Sequence, residues 1–308
     1  MADASMTSTT TDPTDGFDAV HTLAAATPFD FGASLRFISR CSPTADEPRI
    51  DSAVLTKALR AGSTTVVVRV AAAGSAGVNV EMRSEGPLTA TVAAATLDRV
   101  GFYLSLADDL TGFYAIAAGD ESFRPVMQRL YGYHQVKFSS PWENVAWAIL
   151  AQRCPMAVAT RAKAALTEAC GNVVALDGRT YSAFPDAGQL AALAPADLLS
   201  CVGNERKAGY LHRSAQQWLT LSENELRHAP YAQVREQLLG LPGVGPWSST
   251  FVLIRGLGRM EQAPPDKELL RAAARVYARG VDAAELARLA ARYASWQGYW
   301  AHYLRAGG

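Results

Sequence analysis

The sequence is poor in most of the residues that announce a cofactor or a metal. Its four cysteines (Cys41, Cys154, Cys170, Cys201) are widely spaced and form no CxxC pair. That excludes a ribbon-type zinc or iron–sulfur site and gives no disulfide framework. Five histidines (His21, His134, His212, His228, His302) make no ligand spacing, and read as core or surface residues. No phosphate-binding GxxxxGK[ST] and no dinucleotide-binding GxGxxG occurs. No apolar run reaches the ~18 to 20 residues that cross a bilayer. The start of the chain lacks a basic segment followed by an apolar one, so no signal peptide is expected, and a cytoplasmic address fits. There is no net charge either: 29 basic side chains balance 29 acidic ones.

That balance hides a split. Residues 1–140 hold 11 Lys and Arg against 15 Asp and Glu; residues 141–308 hold 18 against 14. The second part permits contact with a polyanion without demanding it. What is present is ordinary globular material, 308 residues of which 49% are hydrophobic. That suffices for two domains or one large one.

Residues 1–24 are polar and read as a disordered tail. Residues 25–85 read as strands: Ala53 to Leu59, the Val-rich Ser63 to Val70, and the alternating Gly77 to Arg83. Thr89 to Leu104 has helical spacing. From about residue 110 the pattern is helical almost throughout, with a strong start at Ser140-Pro141. The expected organisation is a tail over 1–24, a small α/β domain over 25–109 and a helical domain over 110–308.

Two features carry chemistry. The first is Leu241-Pro242-Gly243-Val244-Gly245-Pro246 between two helical segments. Gly243 and Gly245 let the backbone take positive φ and approach another surface. The unpartnered N–H groups opening the second helix suit one phosphate; a plain helix–helix turn is the other reading. The second feature is Asp266, 19 positions after Trp247 and directly before Lys267-Glu268-Leu269-Leu270. It reads as a helix N-cap, or as a carboxylate delivered beside the hairpin.

Taken together, these features resemble the helix-hairpin-helix DNA glycosylase superfamily. There a Leu-Pro-Gly-Val-Gly hairpin precedes an essential Asp by about twenty residues. Further motifs agree in order: Pro141-Trp142-Glu143 through Ala148-Ile149-Leu150-Ala151-Gln152, Phe184-Pro185, Arg206-Lys207-Ala208, Leu253 to Gly258, and Tyr293-Ala294 to Tyr299. Phe29-Asp30-Phe31 and the strands after it are similar to the alkylation-repair branch, 3-methyladenine DNA glycosylase II. The resemblance implies a mainly α fold with a small antiparallel sheet in front. It implies a DNA glycosylase of base excision repair that flips and hydrolytically releases alkylated purines.

On that resemblance, Asp266 is the catalytic carboxylate, facing an oxocarbenium-like sugar. Phe31, Trp247, Phe251, Tyr299 and Trp300 are the candidate pocket aromatics, suited to a cationic base. Gln152, Arg153, Gly243, Val244, Gly245 and Lys267 are the candidate DNA contacts. Trp247 falls where the lyase branch carries a nucleophilic Lys, which implies a water-using enzyme without AP lyase activity. No cofactor or metal is expected, although the resemblance allows a monovalent cation at the hairpin. The expected partner is duplex DNA with damaged bases, the expected state a monomer, and the expected location the nucleoid.

The sequence also departs from the pattern. Lys267 follows Asp266 where an aromatic or aliphatic residue is usual; it either pairs with a phosphate or lowers the Asp266 pKa. Glu268 is a rival carboxylate. Arg153 is a polar wedge for the flipped-out gap, a phosphate contact or a surface residue. Gly298-Tyr299 replaces Pro-Trp. Another damaged base, or a non-catalytic DNA-binding module, are the alternative readings.

Overall fold

The computed structural model describes residues 20–40, 48–74, 76–263 and 265–307. The tail expectation for residues 1–19 lies outside them, as do Cys41 and Pro264. Residues 20–24 are no tail: Val20–Ala24 is strand β1. Its partner is the segment Gly77–Arg83, paired from Val20 opposite Glu81 to Ala24 opposite Gly77. A strand whose partner lies more than fifty residues away has no local signature.

Helix α1 (Phe31–Ile38) follows, where strands are expected. It is capped by Asp30, whose carboxylate accepts the Ala33 N–H at 3.0 Å. Strands β2 (Arg49–Asp51), β3 (Val54–Ala61), β4 (Thr64–Ala72) and β5 (Gly77–Arg83) complete an antiparallel sheet of order β1-β5-β4-β3-β2. Val66, Val68, Val78 and Val80 face one core with Leu55 and Leu59. Helix α2 (Ala90–Tyr103) covers that face with Leu97, Val100 and Tyr103. The N-cap is Thr89, whose hydroxyl accepts the Val92 N–H.

The remainder is mostly helical. Helices α3 (Thr111–Ala118), α4 (Arg124–Arg129), α5 (Pro141–Leu150) and α6 (Met156–Cys170) come first. A hairpin of β6 (Val173–Leu176) and β7 (Arg179–Ser182) interrupts them, against the all-helical expectation. It turns through Asp177 and Gly178, both at positive φ, as a two-residue Asp-Gly loop requires. Then come α7 (Ala187–Ala192), α8 (Pro195–Val202), α9 (Glu205–Trp218), α10 (Glu223–His228), α11 (Tyr231–Leu239) and α12 (Pro246–Phe251). The chain ends with α13 (Lys267–Val276), α14 (Ala283–Ala291) and α15 (Gln297–Gly307).

Two further cores result. All ten residues of α5 are buried, and Val145, Ala146 and Ile149 anchor one core with Leu211, Leu238 and Leu253. Each of these Val, Ile and Leu side chains contributes about 1.5–3 kcal/mol on burial. Even its Glu143 is buried, paired with Lys163 at 2.6 Å. The other core is aromatic, built from Phe113, Phe123, Tyr293, Trp300 and Tyr303 around α15. The hairpin and Asp266 lie where the two helical cores approach each other.

Candidate active site

The hairpin joins α11 to α12. Gly243 takes φ +83°, and a Cβ there would fall 2.8 Å from the Tyr210 ring, so only glycine fits. Gly245 differs from expectation: its φ of −95° is extended, with open space where a Cβ would point. Its backbone is half-buried in the turn. Val244 is buried and anchors the loop. Gln152 Nε2 donates to the Gly243 carbonyl (2.6 Å), and Ser214 Oγ to that of Pro242 (2.6 Å). The Leu241 carbonyl accepts the Val244 N–H (3.0 Å). A monovalent cation here would have to share oxygens already bonded. Arg153 is exposed, at φ +48°, and lines the open groove beside the hairpin with Gln152, Met156 and Trp247.

Beyond α12 the helix widens. The Leu257 N–H bonds the Val252 carbonyl (2.9 Å), an i→i+5 link, so Val252–Gly256 is one π turn. Gly256 is needed because a Cβ would meet the Asn144 side chain at 2.9 Å. The turn sets Ile254 and Arg255 into the wall of a cavity of about 510 Å³. Trp247 and Phe251, one turn apart, stand at the same cavity with rings stacked at 5.2 Å and 10°. Trp247 is 62% exposed.

Asp266 lines this cavity too. It caps α13, Oδ1 accepting the Leu269 N–H at 2.8 Å. Its other oxygen receives Arg305 Nη2 at 2.6 Å, with both side chains about one-third exposed. Cap and cavity carboxylate, posed as alternatives, are therefore one residue. Glu268 lines the same cavity; Lys267 is exposed and outside its lining.

Opposite stands α15, whose Gly298, His302 and Arg305 share one face through the i, i+4, i+7 spacing. The His302 imidazole is held well below the ordinary histidine pKa by burial, with the Arg255 and Arg305 charges beside it. Phe37 of α1 backs the site, edge-on to His302 (5.7 Å) and under the Arg255 guanidinium (4.6 Å).

Of the five aromatics expected in the pocket, two are there. Phe31 is buried in the sheet core. Tyr299 is buried and its hydroxyl donates to Asp108, while burial and that carboxylate hold its pKa well above the usual tyrosine value. Trp300 is buried and donates from Nε1 to the Tyr277 hydroxyl at 3.1 Å. These two miss the cavity by helical phase: one step along α15 turns a side chain by ~100°. Conversely, Phe37, Gln135, Arg255, His302 and Arg305 belong to the site and were not expected there. The spacing of Gly298, His302 and Arg305 was a usable signal for three cavity positions; Gln135 carried none. Among the described residues, no group of three His, Cys, Asp or Glu could hold a metal ion. Nor is any helix long and apolar enough to cross a membrane.

Comparison with known proteins agrees with this architecture. Residues 146–293 match the family described as HhH-GPD superfamily base excision DNA repair protein. The chain is 25% identical over 232 residues to a DNA-3-methyladenine glycosylase of Bacillus subtilis, spanning 74% of this chain and 76% of that protein. Its fold is that of the 3-methyladenine DNA-glycosylase from Archaeoglobus fulgidus (TM-score 0.74, 22% identity, 92% and 97% of the two chains). It is also that of the 8-oxoguanine glycosylase/lyase of Clostridium acetobutylicum (TM-score 0.70, 16% identity, 95% and 100%).

Proposed function

We propose that this chain, whose residues 146–293 match the HhH-GPD family, is a DNA glycosylase of base excision repair. It flips a damaged purine of the 3-methyladenine type out of duplex DNA and releases it by hydrolysis. The observation that carries this reading is Asp266 in one cavity with the stacked Trp247 and Phe251, one helix away from the hairpin.

The chemistry follows from charge. An alkylated purine is cationic and already a good leaving group, and an electron-rich ring face attracts it by about 0.5–2 kcal/mol. As the N-glycosidic bond lengthens, positive charge moves to the deoxyribose. A carboxylate at the cavity mouth stabilises that charge and orients the attacking water. Asp266 is held for this by its cap bond, which fixes one oxygen without consuming the charge. Arg305 shares the other oxygen, so the sugar must compete with a guanidinium or displace it. The hairpin backbone, Arg153 and Lys267 are the proposed contacts to phosphate, and Gln152 holds the hairpin in place. Among the described residues the cavity lining includes no lysine, which favours attack by water over a Schiff base on the sugar. We infer action as a monomer on duplex DNA.

The test is base release from alkylated duplex DNA, with Asp266→Asn in parallel. Wild type is expected to free 3-methyladenine, with strand breaks only after separate alkali treatment. The Arg305–Asp266 pair favours one other reading, a DNA-binding module with a neutralised carboxylate. Binding without release from any lesion would select it. Release of another damaged base, with no alkylpurine release, would retain the enzyme and replace the substrate.

A further inference from the structure

Two polar side chains on the wall of the Asp266 cavity lack partners. Gln135 is completely buried, and neither its Oε1 nor its Nε2 makes a hydrogen bond. His302 is 7% exposed, and its Nε2 is likewise unpartnered. Both line the cavity. Their backbone and ring positions are fixed. Ser105 Oγ donates to the Gln135 carbonyl, and the Gln135 N–H reaches the Tyr299 hydroxyl at 3.5 Å. The His302 ring lies 5.0 Å from Tyr133 and 5.7 Å from Phe37. Buried polar groups are normally satisfied, and those that are not call for an explanation. Here it is one that an occupant of the cavity supplies.

We propose that Gln135 and His302 read the polar edge of the extruded base, and that the substrates are purines whose 6-position group and its ring neighbour are free to hydrogen-bond. This rests on the glycosylase reading above and narrows it. A carboxamide presents one acceptor beside one donor. That is the complement of adenine's N6–H with an adjacent ring nitrogen. Turned over, it also matches the O6 and N1–H of guanine. The uncharged imidazole adds one more donor or acceptor. A methyl group on N3 leaves this edge untouched. A 1,N6-etheno bridge removes the N6–H donor and the N1 lone pair together. Such a base would leave the amide and the imidazole buried and unpaired, the condition under which a hydrogen-bonding site discriminates steeply.

The experiment compares release of 3-methyladenine from methylated duplex with release of 1,N6-ethenoadenine from a defined duplex. Wild type, Gln135→Leu and His302→Phe are measured under single-turnover conditions. Wild type is expected to prefer 3-methyladenine. Gln135→Leu is expected to slow that release by about 10- to 100-fold and to leave ethenoadenine release unchanged or faster. His302→Phe acts in the same direction with a smaller change. Equal slowing of both lesions, or no change in preference, at a wild-type melting temperature would overturn the assignment. A measurement free of variants accompanies these. Free adenine is expected to quench the tryptophan fluorescence of the wild-type protein at concentrations where N6,N6-dimethyladenine does not. Equal quenching by the two bases also overturns the proposal. Selective quenching without base release from any duplex would keep the edge readers and remove the glycosylase reading, so the two failures are distinct.

Discussion

Asp186 and Asp266 are the same local device in two surroundings. Each caps a helix through Oδ1, at 2.9 Å to the Gln189 N–H and 2.8 Å to the Leu269 N–H. Each gives Oδ2 to an arginine, Arg60 at 3.0 Å and Arg305 at 2.6 Å. The differences begin one shell out. At Asp186 the Gln189 side chain returns to the cap backbone, closing a capping box, and Arg60 ties α7 to strand β3. At Asp266 the corresponding residue is Leu269, which cannot return a hydrogen bond, and the carboxylate borders a cavity with stacked aromatics. Capping chemistry alone therefore does not distinguish a staple from a reactive group; the space in front of the carboxylate does.

Breaking the two carboxylates should separate them most widely. Asp266→Asn keeps a good cap and is expected to lower base release at least 100-fold with little loss of melting temperature. Asp186→Ala is expected to do the reverse, costing about 0.5–2 kcal/mol in denaturant titration while release stays within about twofold. The aromatic side of the comparison comes next. Trp247→Ala should slow release of a cationic purine by about tenfold and leave stability nearly unchanged, because the ring is largely exposed.

The arginines sharpen the contrast on a smaller scale. Arg305→Ala should raise release by up to about fivefold by freeing charge on Asp266, the range of a partly exposed ion pair. Arg60→Ala should leave the rate alone. Smallest is a titration effect confined to the Asp266 side. His302 has its pKa depressed by burial and two arginines, so the unfolded chain binds its proton more readily. That stability is whole above the unfolded value of about 6.5 and is lost as pH falls below it. Melting temperatures measured from pH 7.5 to 5 should decline less steeply in His302→Phe than in wild type.

Much of this was legible in the residues, and the gaps have physical reasons. The hairpin, the Asp266 cap and strands β3 to β5 are local patterns, and their residues announce them. Strand β1 exists only through pairing with β5, far along the chain. The β6–β7 turn did carry its own signal in Asp177-Gly178, overridden by the helical character on either side. At the cavity, Trp247 and Phe251 were legible as a pair because they follow the hairpin directly, four residues apart. Tyr299 and Trp300 were misplaced because aromatic content says nothing of helical phase, and on α15 the cavity-facing residues are the polar ones. Gln135 belongs to an irregular segment, where no periodicity assigns a side chain to a face.

The π turn at Val252–Gly256 has a consequence for how such a site tolerates change. Its extra residue acts as a phase shifter between two surfaces on one continuous helix. Residues before it are set by the hairpin, and Ile254 and Arg255 within it are set against the cavity. Deleting one residue would leave each half intact in composition and rotate one against the other by ~100°. Ile254 and Arg255 would then turn from the cavity wall while Trp247 stayed at its rim. The spacing between hairpin and cavity is thus an angle as much as a distance, and insertions or deletions within this short segment should be far less tolerated than substitutions.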